Sequence, residues 1–218
     1  MSEEVYELDL IDLESTVRSS FAERVIDSWR DMGAATRRLI DDEPSEARLL
    51  FYVMCSDIIF FLSWTIKTVV APTDAAAAKL PVQIGLWLVL ALLARTTTMY
   101  LFAAFLRTLS RVFGGQGGWY ETRVAVFWGA LVSAPFGFLA ALITVSLSWV
   151  EHLAPMMQND VVALLPYYLG LLPFLWFISA GVVEAQRFSR VSALFGFLSF
   201  GAIALTLVGL YLSARGVI

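Results

Sequence analysis

Two ionisable side chains stand where a charge is expensive. Asp57 lies inside the apolar run 49–70, and Arg95 inside the run 80–106. On insertion scales a lone ion at the bilayer centre costs at least about 2.5–3.5 kcal/mol. Asp57 follows Leu49 by eight residues and Arg95 follows Leu80 by fifteen. In antiparallel neighbours both therefore fall within a turn or two of the midplane. Opposite charges at matched depth are expected to pair, with Ser56, Ser63, Thr96 or Thr97 as further hydrogen-bonding groups. Such a pair can fix the register of two helices, or it can form a proton-coupled or polar-substrate site. Without a pair, Arg95 would snorkel or meet a lipid phosphate.

Other chemistry is thinly supplied. His152 is the only histidine, which excludes a histidine metal cluster or a two-histidine mechanism within one chain. No Gly-x-Ser-x-Gly elbow occurs. Proteolysis by paired intramembrane aspartates needs two deep acids, and only Asp57 is deep; Glu184 sits at a span end. Cys55 is the only cysteine, so no internal disulfide can form, and its apolar setting suits inert packing. The residues therefore point to no catalytic group, no metal, no cofactor and no enzyme.

Glycine is concentrated at Gly114-Gly115-Gln116-Gly117-Gly118, followed by Trp119, Tyr120 and Arg123. A phosphate cradle would follow a strand and carry a Gly-Lys-Ser/Thr or Gly-x-Gly-x-x-Gly order. This stretch follows an apolar helix and has neither, so a tight reversal is expected. Trp119 and Tyr120 suit the headgroup region beneath it.

The elements that must position these residues are membrane helices. Of 218 residues 59% are hydrophobic and 16% charged, and the mean hydropathy is +0.74; soluble domains are nearer a quarter charged. Five apolar runs, near 49–70, 80–106, 124–150, 161–183 and 192–212, each reach the roughly 20 residues that cross a bilayer. The expected fold is all-α: a five-span transmembrane bundle with an N-terminal cytoplasmic amphipathic helix. Residues 1–48 form an acidic head with thirteen Asp and Glu against six Arg, and residues 49–218 a membrane domain with six acids and nine bases. No basic cluster exists to neutralise nucleic-acid phosphates.

From Leu10 to Ile40 the apolar residues Leu10, Leu13, Val17, Phe21, Val25, Trp29, Met32 and Leu39 recur at helical spacing. One amphipathic helix is expected, docked on the bundle or lying on lipid. The stretch Met1–Glu7 lacks the basic and apolar regions of a cleavable signal, so the first span is expected to direct insertion. With the N-terminus inside, eleven Lys and Arg fall on the inner segments against three outside. That bias makes the N-terminus, the glycine turn and the link Glu184–Arg190 cytoplasmic, and puts the C-terminus on the opposite side. Pro135 and Pro173 fall near the middle of their spans and are expected to kink them against protein. The spacing of Gly196, Gly201 and Gly209 suits self-association or packing within one chain.

The turn 114–122, running into Arg123-Val-Ala-Val-Phe-Trp128 and on to Pro135, resembles a motif of the Yip family, the Ypt/Rab-interacting membrane proteins, in its bacterial branch. So do the polar link from Glu184 through Arg187 and Arg190 to Ala193, and the layout of a cytoplasmic head before five spans. The longer acidic and aromatic motifs of the eukaryotic members are absent. The resemblance implies a non-enzymatic integral protein, here of a bacterial inner membrane, from a family tied in eukaryotes to vesicle traffic and membrane shaping.

Two functions remain open at this point. The chain is a scaffold or organiser whose cytoplasmic face meets lipids, another membrane protein or a second copy. The alternative is a small transport unit built around Asp57, Arg95 and the kinked spans. No small-molecule substrate is indicated by the residues themselves.

Overall fold

The computed structural model describes residues 20–70, 84–149 and 165–215. Seven helices follow in order: α1 (Phe21–Arg30), α2 (Met32–Asp41), α3 (Glu46–Val70), α4 (Ile84–Val112), α5 (Trp119–Trp149), α6 (Leu165–Gln186) and α7 (Val191–Ala214). No strand occurs among the described residues. The last five contain apolar stretches long enough to cross a membrane: Glu46–Ile66, Val89–Val112, Trp119–Leu147, Tyr168–Gln186 and Val191–Gly209. The chain is thus an all-α bundle with five candidate spans. Residues 10–19, where the amphipathic stripe was expected to begin, and the segment holding His152 lie outside the described residues.

The spans overrun their apolar runs at one end of the bundle, called the head end below. There α3 begins at Glu46 rather than Leu49, α4 continues past Leu106, α5 begins at Trp119 rather than Val124, and α6 continues past Val183. Hydropathy marks where a helix leaves apolar surroundings; these helices go on because their polar turns find partners in one another.

The single helix expected from Leu10 to Ile40 is broken at Asp31. Its backbone is extended there (φ −146°), its N–H closes α1 on Asp27 O, and its carboxylate accepts from Ala34 N to open α2. A short acidic side chain suits an N-cap because it satisfies a free amide of the first turn. Ser20 and Glu23 form a reciprocal capping box at the start of α1. The apolar stripe runs across this break, so periodicity alone did not reveal it.

Helix α5 is the centre of the bundle. Its residues 124–132 are almost wholly enclosed, with α3, α4 and α6 packed along it and α1 and α2 lying over it. Gly129 lets α6 approach: a Cβ there would lie 3.2 Å from the Ile178 backbone. Met32, Ala35, Thr36 and Leu39 of α2, at one-face spacing, are buried against α5 and α6. At the far side of the fold α7 packs mainly on α6, leaving Phe200 and Leu205 exposed.

Both prolines lie inside continuous helices, Pro135 in α5 and Pro173 in α6, and both are half-buried. Pro135 has no N–H for the Leu131 carbonyl, and polar side chains gather on the backbone beside it. Ser56 Oγ donates to Ala130 O (3.2 Å) and Trp29 Nε1 to Val132 O (2.9 Å). Trp128 Nε1 in turn donates to the buried Ser28 Oγ (2.9 Å). Helix α1 is therefore pinned to α5 by one indole in each direction. Trp29→Phe keeps the ring stacked edge-on to Phe136 (5.5 Å between centroids) and removes only the indole donor. A loss of about 1 kcal/mol in unfolding free energy is expected in detergent micelles; an unchanged midpoint would mean that the bond contributes nothing.

Candidate functional site at the head end of the bundle

Two helix ends that are remote in sequence close in the same way. At the end of α4, Gly114 takes φ +82°, its N–H bonds Arg111 O (3.1 Å), and Gly115 N bonds Ser110 O (2.8 Å). At the end of α6, Arg187 takes φ +58°, its N–H bonds Glu184 O (3.1 Å), and Phe188 N bonds Val183 O (2.9 Å). Each is the left-handed cap that satisfies the last carbonyls of a helix. Glycine makes that backbone easy at position 114; at 187 an arginine bears the strain.

Gln186 ties the two ends together. Its backbone carbonyl accepts from Gln116 N (3.2 Å), its side-chain Oε1 accepts from Gly117 N (3.1 Å), and Nε2 donates to Thr122 Oγ1 (2.7 Å). The residue is fully buried. So the glycine turn and the polar link form one surface. The sequence placed both on one side of the membrane without indicating that they touch. The signal for Gln186 in the sequence is an amide in the last turn of an apolar span, where an uncharged polar group needs an internal partner.

Charged residues clamp the rest of this end. Arg123 Nη1 reaches both carboxylate oxygens of Glu46 (2.6 Å each), and Tyr100 Oη donates to Glu46 Oε1 (2.6 Å). The Arg123 guanidinium also lies over the Trp119 ring (5.2 Å), and Tyr120 Oη donates to Pro44 O (3.0 Å). Arg37 of α2 pairs with Glu184 of α6. These contacts join α2, α3, α4, α5 and α6. Gly118 would meet only the flexible Glu121 side chain, and Arg190 is exposed. Beside the turn a groove of about 630 Å³ is bordered by Arg37, Asp41, Gln116, Glu121, Glu184 and Arg187, a mixed-charge surface.

Deeper in the bundle the structure brings Asp57 and Arg95 together. Arg95 Nη1 donates to Asp57 Oδ1 (3.0 Å), Thr96 Oγ1 to Asp57 Oδ2 (2.7 Å), and Arg95 Nη2 to Ser56 Oγ (3.3 Å). Ser63 and Thr97 instead donate to carbonyls of their own helices, Ile59 O and Leu93 O. The Arg95 guanidinium covers the Phe60 ring at 4.4 Å. The Asp57 side chain is fully enclosed and that of Arg95 is 17% exposed. Neither residue borders the head-end groove. Among the described residues no cluster of three His, Cys, Asp or Glu side chains could hold a metal.

A family model described as the Yip1 domain matches residues 26–212. The chain belongs to the Yip1 domain family. No curated protein and no solved structure matches it. The Yip1 match opens within α1 and closes within α7. It therefore takes in α2 and the second half of α1, whereas the motifs in the sequence carried the resemblance only from about residue 40. In this Yip1 domain the glycines of the last span stand apart: nothing lies within 4 Å of a Cβ built at Gly196, Gly201 or Gly209.

Proposed function

We propose that this Yip1-domain protein is a non-enzymatic membrane organiser that works through its head end. The carrying observation is Gln186, which joins the glycine turn and the polar link into one braced surface with α2 clamped beside it. A platform held at several points presents a fixed pattern of charge, and that suits recognition better than turnover. Arg37, Arg38, Arg48, Arg107, Arg111, Arg123, Arg187 and Arg190 all belong to segments at this end. On the positive-inside rule the head end faces the cytoplasm of a bacterial inner membrane. Its partners are lipids, another membrane protein or a second copy. The transport alternative draws no support from Asp57, whose two oxygens are both bonded and which no solvent reaches.

The test combines flux with position-specific crosslinking. Purified protein in liposomes should give ion and proton flux no higher than empty liposomes, with Asp57→Asn indistinguishable from wild type. In cells, a photo-crosslinker placed at Gln116 or Arg190 should capture a defined partner that one placed at Phe200 does not. A pH-dependent flux lost in Asp57→Asn would overturn the organiser reading in favour of transport.

A further inference from the structure

On the other side of α2 from the head-end groove lies a second hollow, of about 650 Å³, between α1, α2 and the first turns of α3. One wall is aromatic. Phe21, Phe51, Tyr52 and Trp128 contact one another there, with Tyr52 and Trp128 centroids 5.0 Å apart. The opposite wall carries three Arg and three Asp. Four of these six satisfy one another: Arg24 pairs with Asp42, and Arg38 approaches Asp27 at 4.0 Å. Among the described residues the Arg48 and Asp41 side chains have no opposite charge within reach. The hollow therefore offers one uncommitted cation and one uncommitted anion beside an aromatic wall. Asp41 stands on the crest shared with the head-end groove.

Its position along the bundle is equally specific. Arg48 and Phe51 belong to the first two turns of α3, where the candidate span Glu46–Ile66 begins. Below Phe51, the side chains of Met54, Ile58 and Leu62 continue on the same face of α3 and are each close to half exposed. An apolar stripe thus leads from the hollow down along the first span. A charged recess opening onto an apolar track is the shape of an amphiphile.

We infer that this hollow seats the headgroup of a zwitterionic aminophospholipid, its phosphate on Arg48, its ammonium on Asp41 and the aromatic wall, and an acyl chain along Phe51, Met54, Ile58 and Leu62. A guanidinium forks onto phosphate oxygens, and an ammonium gains from both a carboxylate and aromatic faces. The paired residues leave no surplus charge, so a zwitterion matches the recess better than an anionic lipid. Lipid binding here does not depend on how the head-end groove is used.

The test is native mass spectrometry of the full chain, delipidated and then offered dioleoyl phosphatidylethanolamine, phosphatidylglycerol or phosphatidylcholine. One phosphatidylethanolamine should be retained in preference to the other two. Arg48→Gln should weaken that retention about tenfold, as expected for losing a charged hydrogen bond. Asp41→Asn should erase the preference for phosphatidylethanolamine while leaving phosphatidylglycerol binding unchanged or improved. Neither residue has an ion-pair partner to lose among the described residues, so the thermal midpoints of both variants should match wild type and exclude misfolding as the cause. Equal retention of all three lipids, a preference for phosphatidylglycerol, or wild-type retention in Arg48→Gln would overturn the assignment. So would displacement of the lipid by an equal concentration of free phosphoethanolamine, which would mark a soluble-ligand site.

Discussion

Arg95→Gln should destabilise the folded protein by about 3–5 kcal/mol, the cost of breaking a buried ion pair from one side. The variant leaves Asp57 fully enclosed with Thr96 Oγ1 as the neighbour still bonding its carboxylate. Asp57→Asn should cost less, about 1.5–3 kcal/mol. Arg95 retains Ser56 Oγ and the Phe60 face, and its partial exposure gives it some outlet. The informative variant is the double, Asp57→Asn with Arg95→Gln. It places two neutral amides where two charges stood, so neither partner is left ionised and alone. It should be more stable than Arg95→Gln alone, with a coupling of about 1–3 kcal/mol. Reversible unfolding in micelles, or the yield of folded protein, measures all three. If both single changes are silent, the pair is not holding α3 and α4 in register.

Gly117→Ala should be the most damaging methyl added at any described glycine. A Cβ there would overlap the Ala185 carbonyl oxygen, and it would lie 3.0 Å from the Ala185 carbonyl carbon and 2.9 Å from Gln186 Nε2. Backbone cannot give way as a side-chain tip can, because Ala185 is buried in the capped last turn of α6. Separating the two ends would also stretch the Gln186 bonds to Gly117 and Thr122. A loss of about 3 kcal/mol is expected, at the upper end of overpacking penalties. Two other glycines calibrate the result. Gly114→Ala has open space but a left-handed backbone, so it should cost about 1 kcal/mol. Gly196→Ala has a helical backbone and open space, and should stay within about 0.5 kcal/mol of wild type. If the order of these three is reversed, the close approach of the turn to α6 is not rigid.

The comparison of Gly114 with Gly117 shows what kind of information a sequence carries. Both read as parts of one reversal, and nothing in their spacing separates them. Gly114 is needed for its own torsion, a local property. Gly117 is needed because a carbonyl 68 residues away in the chain, that of Ala185, lies against it. Asp57 and Arg95 were legible for a different reason. An ion in an apolar run is so costly that a partner is demanded, and only one opposite charge lies at the matching depth. Which hydroxyls would help was not legible, since Ser56, Ser63, Thr96 and Thr97 differ only in the direction each faces. Glu46 was not legible because it stands at a span end, where a polar group can be solvated and demands nothing; Tyr100, inside its span, reads as one more packing ring.

By itself the sequence determined that five helices are long and apolar enough to cross a membrane, that an acidic, periodic stretch precedes them, and which family the turn and the link resemble. Those properties rest on hydrophobic runs, on charge counts and on short contiguous motifs, all of which are local. The tertiary structure decided that the head stripe breaks at Asp31, that its two helices pack over α5, and that Gln186 joins the turn to the link. It also decided that Arg48 and Asp41 have no ion-pair partner among the described residues beside an aromatic wall. The break at Asp31 is a local cap that periodicity does not mark, while the packing over α5 and the Gln186 junction depend on which side chains meet across helices far apart in the chain. In a membrane, where lipid replaces water on every outer face, hydropathy says that a helix is buried in apolar surroundings, and only packing says against what.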